Sequence, residues 1–235
     1  MLQAAPVGVP SLNLTQIVLA IGALGTAAYG FVDVSKGFWG GISNRGFGDI
    51  KKVVSQFIPS SSTATDPPAL SLTSVLATLR ANWLNGMALG DQKSVAKALI
   101  KLNLNPDSAE KMANATGVDK TLLQSVADKL STGEKLVDTE TDVYGRFDLL
   151  LTAVLDQGYQ RADQRYRNSA KLLAVPVAVA LALLGAWAIS QDGLSSLDAW
   201  RAVLAGLLAT PLAPVAKDLA SAIQAGTKLA QAWQK

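Results

Sequence analysis

The side chains best equipped for chemistry gather in GYQRADQRYRNSAKL, Gly158 to Leu172. Arg161, Arg165, Arg167 and Lys171 form a basic collar there, with Tyr159 and Tyr166 among them. Such cations make charge-assisted hydrogen bonds to carboxylates and phosphates. The collar leads straight into LLAVPVAVALALLGAWAI, Leu172 to Ile189, which is uncharged and apolar on every face. About 18 residues of this kind are enough to cross a bilayer core. Lipid phosphates are therefore one target for the collar. The pair Lys217-Asp218, in PLAPVAKDLASAIQAG, offers it a carboxylate instead. Ordinary positive-inside anchoring accounts for the same charges with no specific contact.

Other chemistry is restricted by what is missing. The chain contains no Cys and no His. Thiolate nucleophiles, disulfides, Cys-held clusters, imidazole bases and His-zinc sites are all excluded. We expect a non-enzymatic protein with no cofactor, metal or evident small-molecule substrate. The glycine-rich stretch KGFWGGISNRGFGD, Lys36 to Asp49, meets neither GxGxxG nor GxxxxGK[ST] spacing. With Phe38, Trp39 and Phe47 between its glycines, it reads as an interfacial bend with rings at headgroup depth. The serines of PSSSTATDPP, Pro59 to Pro68, read as linker.

The elements that position the collar follow from periodicity. Val143, Phe147, Leu150, Leu151, Val154, Leu155 and Gly158 mark one apolar stripe, so Thr141 to Ile189 reads as a single helix, with Pro176 a candidate kink. At 1.5 Å per residue it would be roughly 70 Å long. Asp163 and Arg167 form a candidate i, i+4 pair on it. Leu12 to Val32 reads as a first transmembrane helix, with Gly22, Thr26 and Gly30 as its small packing face. DIKKVVSQFI, Asp49 to Ile58, is amphipathic and lies along the membrane or docks on the soluble domain. Residues 70–131 read as short helices with tight turns, Asp91 capping one and Asn105-Pro106 starting another. Ala202 to Ala216 reads as a third span broken by Pro211 and Pro214. An amphipathic tail helix follows it.

The fold expected is an all-α integral membrane protein with about three transmembrane helices and a cytoplasmic helical domain. The expected divisions are 1–36 (tail and first span), 37–69 (interfacial segment and linker), 70–171 (cytoplasmic domain with the long helix), 172–216 (transmembrane hairpin) and 217–235 (tail helix). Composition agrees: only 17% of residues are charged, below the usual quarter for soluble domains. A net charge of +3 without a long basic run argues against nucleic-acid binding. Lys36, Arg45, Lys51 and Lys52 follow the first span and the collar precedes the second, so the N-terminus is expected outside and the middle domain and C-terminus inside.

The two motifs at Gly158–Leu172 and Pro211–Gly226, together with NGMALGDQKSVAKALIKLNLNPDSAEKMANATGVD from Asn85 to Asp119, resemble a family of uncharacterised bacterial inner-membrane proteins. Members pair an N-terminal span with a cytoplasmic helical region and a C-terminal membrane hairpin. The resemblance implies a bacterial inner-membrane protein and carries no activity. The functional expectation is a structural or accessory subunit that forms homo-oligomers or tethers a protein partner to the bilayer. An oligomeric pore is the alternative.

Overall fold

The computed structural model describes residues 13–35, 40–60, 70–190 and 193–233, apart from the side chains of 229, 230, 232 and 233. Regular structure among them is all helical: α1 (Leu14–Val34), α2 (Ser43–Val54), α3 (Leu72–Leu84), α4 (Leu89–Leu102), α5 (Pro106–Thr116), α6 (Lys120–Thr132), α7 (Asp138–Ile189) and α8 (Ser196–Trp233). The chain forms two compact units, 36–169 and 1–35 with 170–235. Most of the expected Ser/Thr/Pro linker, residues 61–69, lies outside the described residues.

The 36–169 unit is built on the first part of α7. Phe147, Leu151, Leu155, Tyr159 and Ala162 recur every three or four residues and are all buried, as one helix face requires. Around them collect Ile50, Val54 and Phe57, Val75 and Leu79, Ala96 and Ile100, Met112, Leu123 and Val126. The residues after the first glycines therefore belong to this core. Phe47, expected at headgroup depth, is only 8% exposed within it. The reason is a close helix crossing. A Cβ at Gly46 would come within 2.7 Å of the Ala162 carbonyl oxygen, and one at Gly158 within 2.6 Å of Val53. One glycine notch on each helix lets α2 and α7 run antiparallel at close range. The Lys111 ammonium, its pKa lowered by burial, ties α5 to the chain after α2 by donating to the Ile58 carbonyl at 2.7 Å.

Local signals fix the short helices. Asn105 and Ser108 form a capping box at the start of α5, with Pro106 in its first turn. Asp119 caps α6 by accepting from the Leu122 amide. The left-handed φ values of +73° and +76° that end α5 and α6 are met by Gly117 and Gly133. Asp91 is not a cap. The helix α4 begins at Leu89, with Ala88 in the cap position, and Asp91 sits inside its first turn.

Three helices, α1, α7 and α8, are long and apolar enough to cross a membrane. Two features differ from the sequence expectation. First, α8 continues through Pro211 and Pro214 to Trp233 as one helix, with no separate tail helix. A continuous stripe of Ala202, Gly206, Ala209, Ala213 and Ala216 is buried along it, and this packing outweighs the backbone bonds lost at the prolines. Second, α1 runs antiparallel to α8. A Cβ at Gly22 would lie 2.0 Å from Ala216 Cβ, and one at Gly25 would lie 2.0 Å from the Ala209 oxygen. Rising numbers on α1 thus meet falling numbers on α8. Successive complete crossings alternate in direction, so a first and a third crossing must be parallel.

The face that α1 buries is Gly22, Gly25, Ala28 and Val32. Only Gly22 belongs to the expected trio. Thr26 is exposed, its hydroxyl donating back to the Gly22 carbonyl at 3.1 Å, and a Cβ at Gly30 meets nothing within 4 Å. Thermal unfolding of the full chain in detergent checks this assignment. Gly25→Ala is expected to destabilise by about 1–3 kcal/mol through overpacking. Gly30→Ala is expected to be neutral or to stabilise by about 0.5–1 kcal/mol. Equal responses at the two positions would place the packing face elsewhere.

Candidate functional site

The collar occupies the stretch of α7 between its buried stripe and its apolar run, and helix geometry splits it. Tyr159, expected at the interface, falls on the stripe and is 1% exposed. Burial pushes its phenol pKa up. It is a core residue, because α7 is still packed on both α2 and α4 at that turn. Tyr166, two turns later, is half-buried. Its ring meets Trp83 edge to face, with centroids 6.2 Å apart. The Trp83 indole N–H donates to the Ser43 carbonyl at 3.0 Å, so α2, α3 and α7 share one aromatic joint. With Met87, Gln92 and Asp163, these rings line a cavity of about 160 Å³.

The carboxylates that meet the collar are Asp49 and Asp163. Arg167 Nε lies 2.7 Å from Asp163 one turn back, and Arg165 Nε lies 3.2 Å from Asp49 on α2. Asp218, offered by the sequence as a partner, lies exposed on α8 beside exposed Lys217. Lys217 lines a cavity with Gly22 and Ala216. Arg161 and Lys171 are exposed. Trp39, the remaining interfacial candidate, lies outside the described residues. Trp187 and Trp200, which bracket the turn between α7 and α8, are 64% and 66% exposed. Next to Trp200, Arg201 pairs with Asp198 at 3.2 Å. This pair borders a largely apolar cavity of about 930 Å³ among α1, α7 and α8.

No protein-family model, curated protein or solved structure matches the chain.

Sequence reasoning missed a polar seam along α7. Lys93, Lys97 and Lys101 recur every fourth residue of α4 and face Asp156 and Asp148, eight apart on α7. Lys97 reaches Asp148 at 2.6 Å and Lys101 reaches it at 3.0 Å, while Lys93 pairs with Asp156. Lys101 also sits 4.9 Å from the centre of the Tyr144 ring. Burial alone would raise the Asp148 pKa, but its two lysines outweigh that and hold it below the usual value. The matching periods were visible in KSVAKALIK, yet they gain meaning only once α4 and α7 are known to be antiparallel neighbours.

The start of α7 is held by Glu140, 4% exposed. Its carboxylate accepts from Lys129 at 2.8 Å, Ser125 at 2.6 Å and the Val137 amide at 2.9 Å. These donors, Lys129 first, lower its pKa from 4.5 to about 2. A depressed carboxyl pKa stabilises the fold above the unfolded value and loses that effect as pH falls through the folded one. Amide exchange in residues 120–150 should therefore be slower in the wild type than in Glu140→Gln at pH 6. That ratio, which cancels the intrinsic pH dependence of exchange, should shrink between pH 4.5 and about 2. A ratio constant over this window would show that the ionised carboxylate is not what holds the α6–α7 junction.

Proposed function

We propose that this chain is a non-enzymatic, membrane-anchored helical subunit of the bacterial inner membrane, which oligomerises or tethers a larger assembly. The observation that carries this reading is α7. One 52-residue helix supplies the buried stripe of the 36–169 unit and, after the collar, the apolar run Leu172–Ile189. A helix of this kind commits its soluble residues to a fixed distance along the chain from the bilayer, which suits an anchor. The resemblance to bacterial inner-membrane proteins points the same way.

In this proposal the α7–α8 hairpin crosses the membrane, with the turn at 190–195 outside and the 36–169 unit on the cytoplasmic face. The charges agree: Arg161, Arg165, Arg167 and Lys171 precede the crossing, whereas Asp192 lies in the turn and Asp198 follows it. With α1 antiparallel to α8, Asn13 lies on the cytoplasmic side in this proposal.

Because the chain has no Cys, single introduced cysteines test the arrangement. An impermeant maleimide should label Ser196→Cys in cells with a permeabilised outer membrane. It should label Ser131→Cys and Asn13→Cys only after the inner membrane is opened. External labelling of Asn13→Cys would restore three complete crossings. Native mass spectrometry of the chain gently extracted at natural abundance should show a defined homo-oligomer or a companion protein. A lone monomer would overturn the subunit reading, and ring oligomers that conduct ions in planar bilayers would favour the pore.

A further inference from the structure

The collar cations have unequal surroundings. Arg167 is paired by Asp163. Asp49, its side chain only 15% exposed, holds the Arg165 guanidinium at Nε while that side chain stays 59% exposed. Arg161 has no ion-pair partner among the described residues. It lines a groove of about 290 Å³ with Asp49, Gln164, Arg165, Asn168 and Ser169. Lys171 does not line it.

From this arrangement we infer that the groove binds the headgroup of an anionic membrane phospholipid, with its phosphodiester at the Ser169 end. The charge matches. Asp49 neutralises one of the two guanidinium groups, leaving the groove one net positive charge for one anionic headgroup. Gln164, Asn168 and Ser169 add neutral donors for its oxygens and for headgroup hydroxyls. The depth matches as well. Ser169 precedes the first residue of the apolar run, Leu172, by about 4.5 Å of helix, inside a headgroup layer roughly 5–7 Å thick. Asn168 and Arg165 follow above it. Arg161, about 16 Å before Leu172, lines the watery end of the groove, where it can donate to headgroup oxygens beyond the phosphodiester. A soluble phosphate compound has the same core chemistry, but the groove begins where lipid phosphates already lie. The inference rests on α7 crossing the bilayer.

The test separates a built site from general attraction. Purified full-length protein is delipidated and exposed to vesicles of phosphatidylglycerol or phosphatidylcholine. Retained lipid is then counted by native mass spectrometry. Arg161→Gln and Lys171→Gln remove the same charge, and Lys171 lies nearer the apolar run. General electrostatics makes Lys171→Gln the more damaging of the two. The groove makes it Arg161→Gln, with phosphatidylglycerol retention falling about tenfold, as for a lost charge-assisted hydrogen bond, and Lys171→Gln falling by less than about twofold. The double variant Asp49→Asn/Arg165→Gln leaves the net charge unchanged and should still lower retention. Equal retention of the two lipids, a larger effect at Lys171 or an unaffected double variant would each overturn the proposal. Displacement of the lipid by millimolar inorganic phosphate would overturn its membrane source. Ser196→Cys labelling reports insertion independently. Lost retention in a correctly inserted chain sinks the lipid site alone, and failed insertion sinks the crossing with it.

Discussion

The fold depends on backbones approaching closely where side chains are small. In the 36–169 unit, Gly46 and Gly158 each take the bulk of the facing helix, so α2 and α7 share a crossing that neither could make with a Cβ in place. In the other unit, Gly22 and Gly25 receive α8, and Gly206 receives α7 at Val179, where a Cβ would come within 2.5 Å of the Val179 Cα. One device thus serves both units. In the 36–169 unit it seats large residues such as Phe47 and Phe57 around a thin crossing. Between the apolar helices it lets backbones approach closely enough for dispersion to hold them, the attraction that remains wherever apolar burial brings little gain.

Because the crossings are tight, the polar groups around them have fixed positions. The α4–α7 seam sets Lys97 and Lys101 on Asp148 at partial exposure, where ion pairs add little stability and mainly select register. A shift of α4 by one residue would turn its lysines off Asp148 and Asp156. Glu140 works differently. It is buried, accepts three hydrogen bonds and holds the junction where α6 turns into α7. The aromatic joint of Trp83 and Tyr166 closes the opposite end of this stretch of α7.

Helical class, the three apolar helices and most of the boundaries within 70–132 were legible from pattern. Cap residues and terminal glycines act locally, so Asn105, Pro106, Gly117 and Gly133 could be read in place. What escaped were the roles that depend on a partner. The glycines before Asp49 looked like an interfacial bend because flexible, aromatic-rich sequence looks the same whether it bends in a headgroup layer or notches against Ala162. Tyr159 looked like a collar residue because tyrosine suits both an interface and a core. Only its register with Phe147, Leu151 and Leu155 separates the two, and that stripe extended one turn further than its aliphatic members suggested. Gly22, Thr26 and Gly30 formed a tidy i, i+4, i+8 row, yet α8 meets α1 along Gly22, Gly25, Ala28 and Val32. Several rows of small residues compete on a helix this rich in Gly and Ala, and spacing alone does not rank them.

Direction is the property that hydropathy cannot hold. Apolar length is a scalar, so α1, α7 and α8 all qualify as crossings. A crossing is also a vector, and consecutive vectors through one bilayer must alternate. The contacts of Gly22 with Ala216 and of Gly25 with Ala209 point α1 against α8, and that direction is set by which residues meet, not by how apolar either helix is.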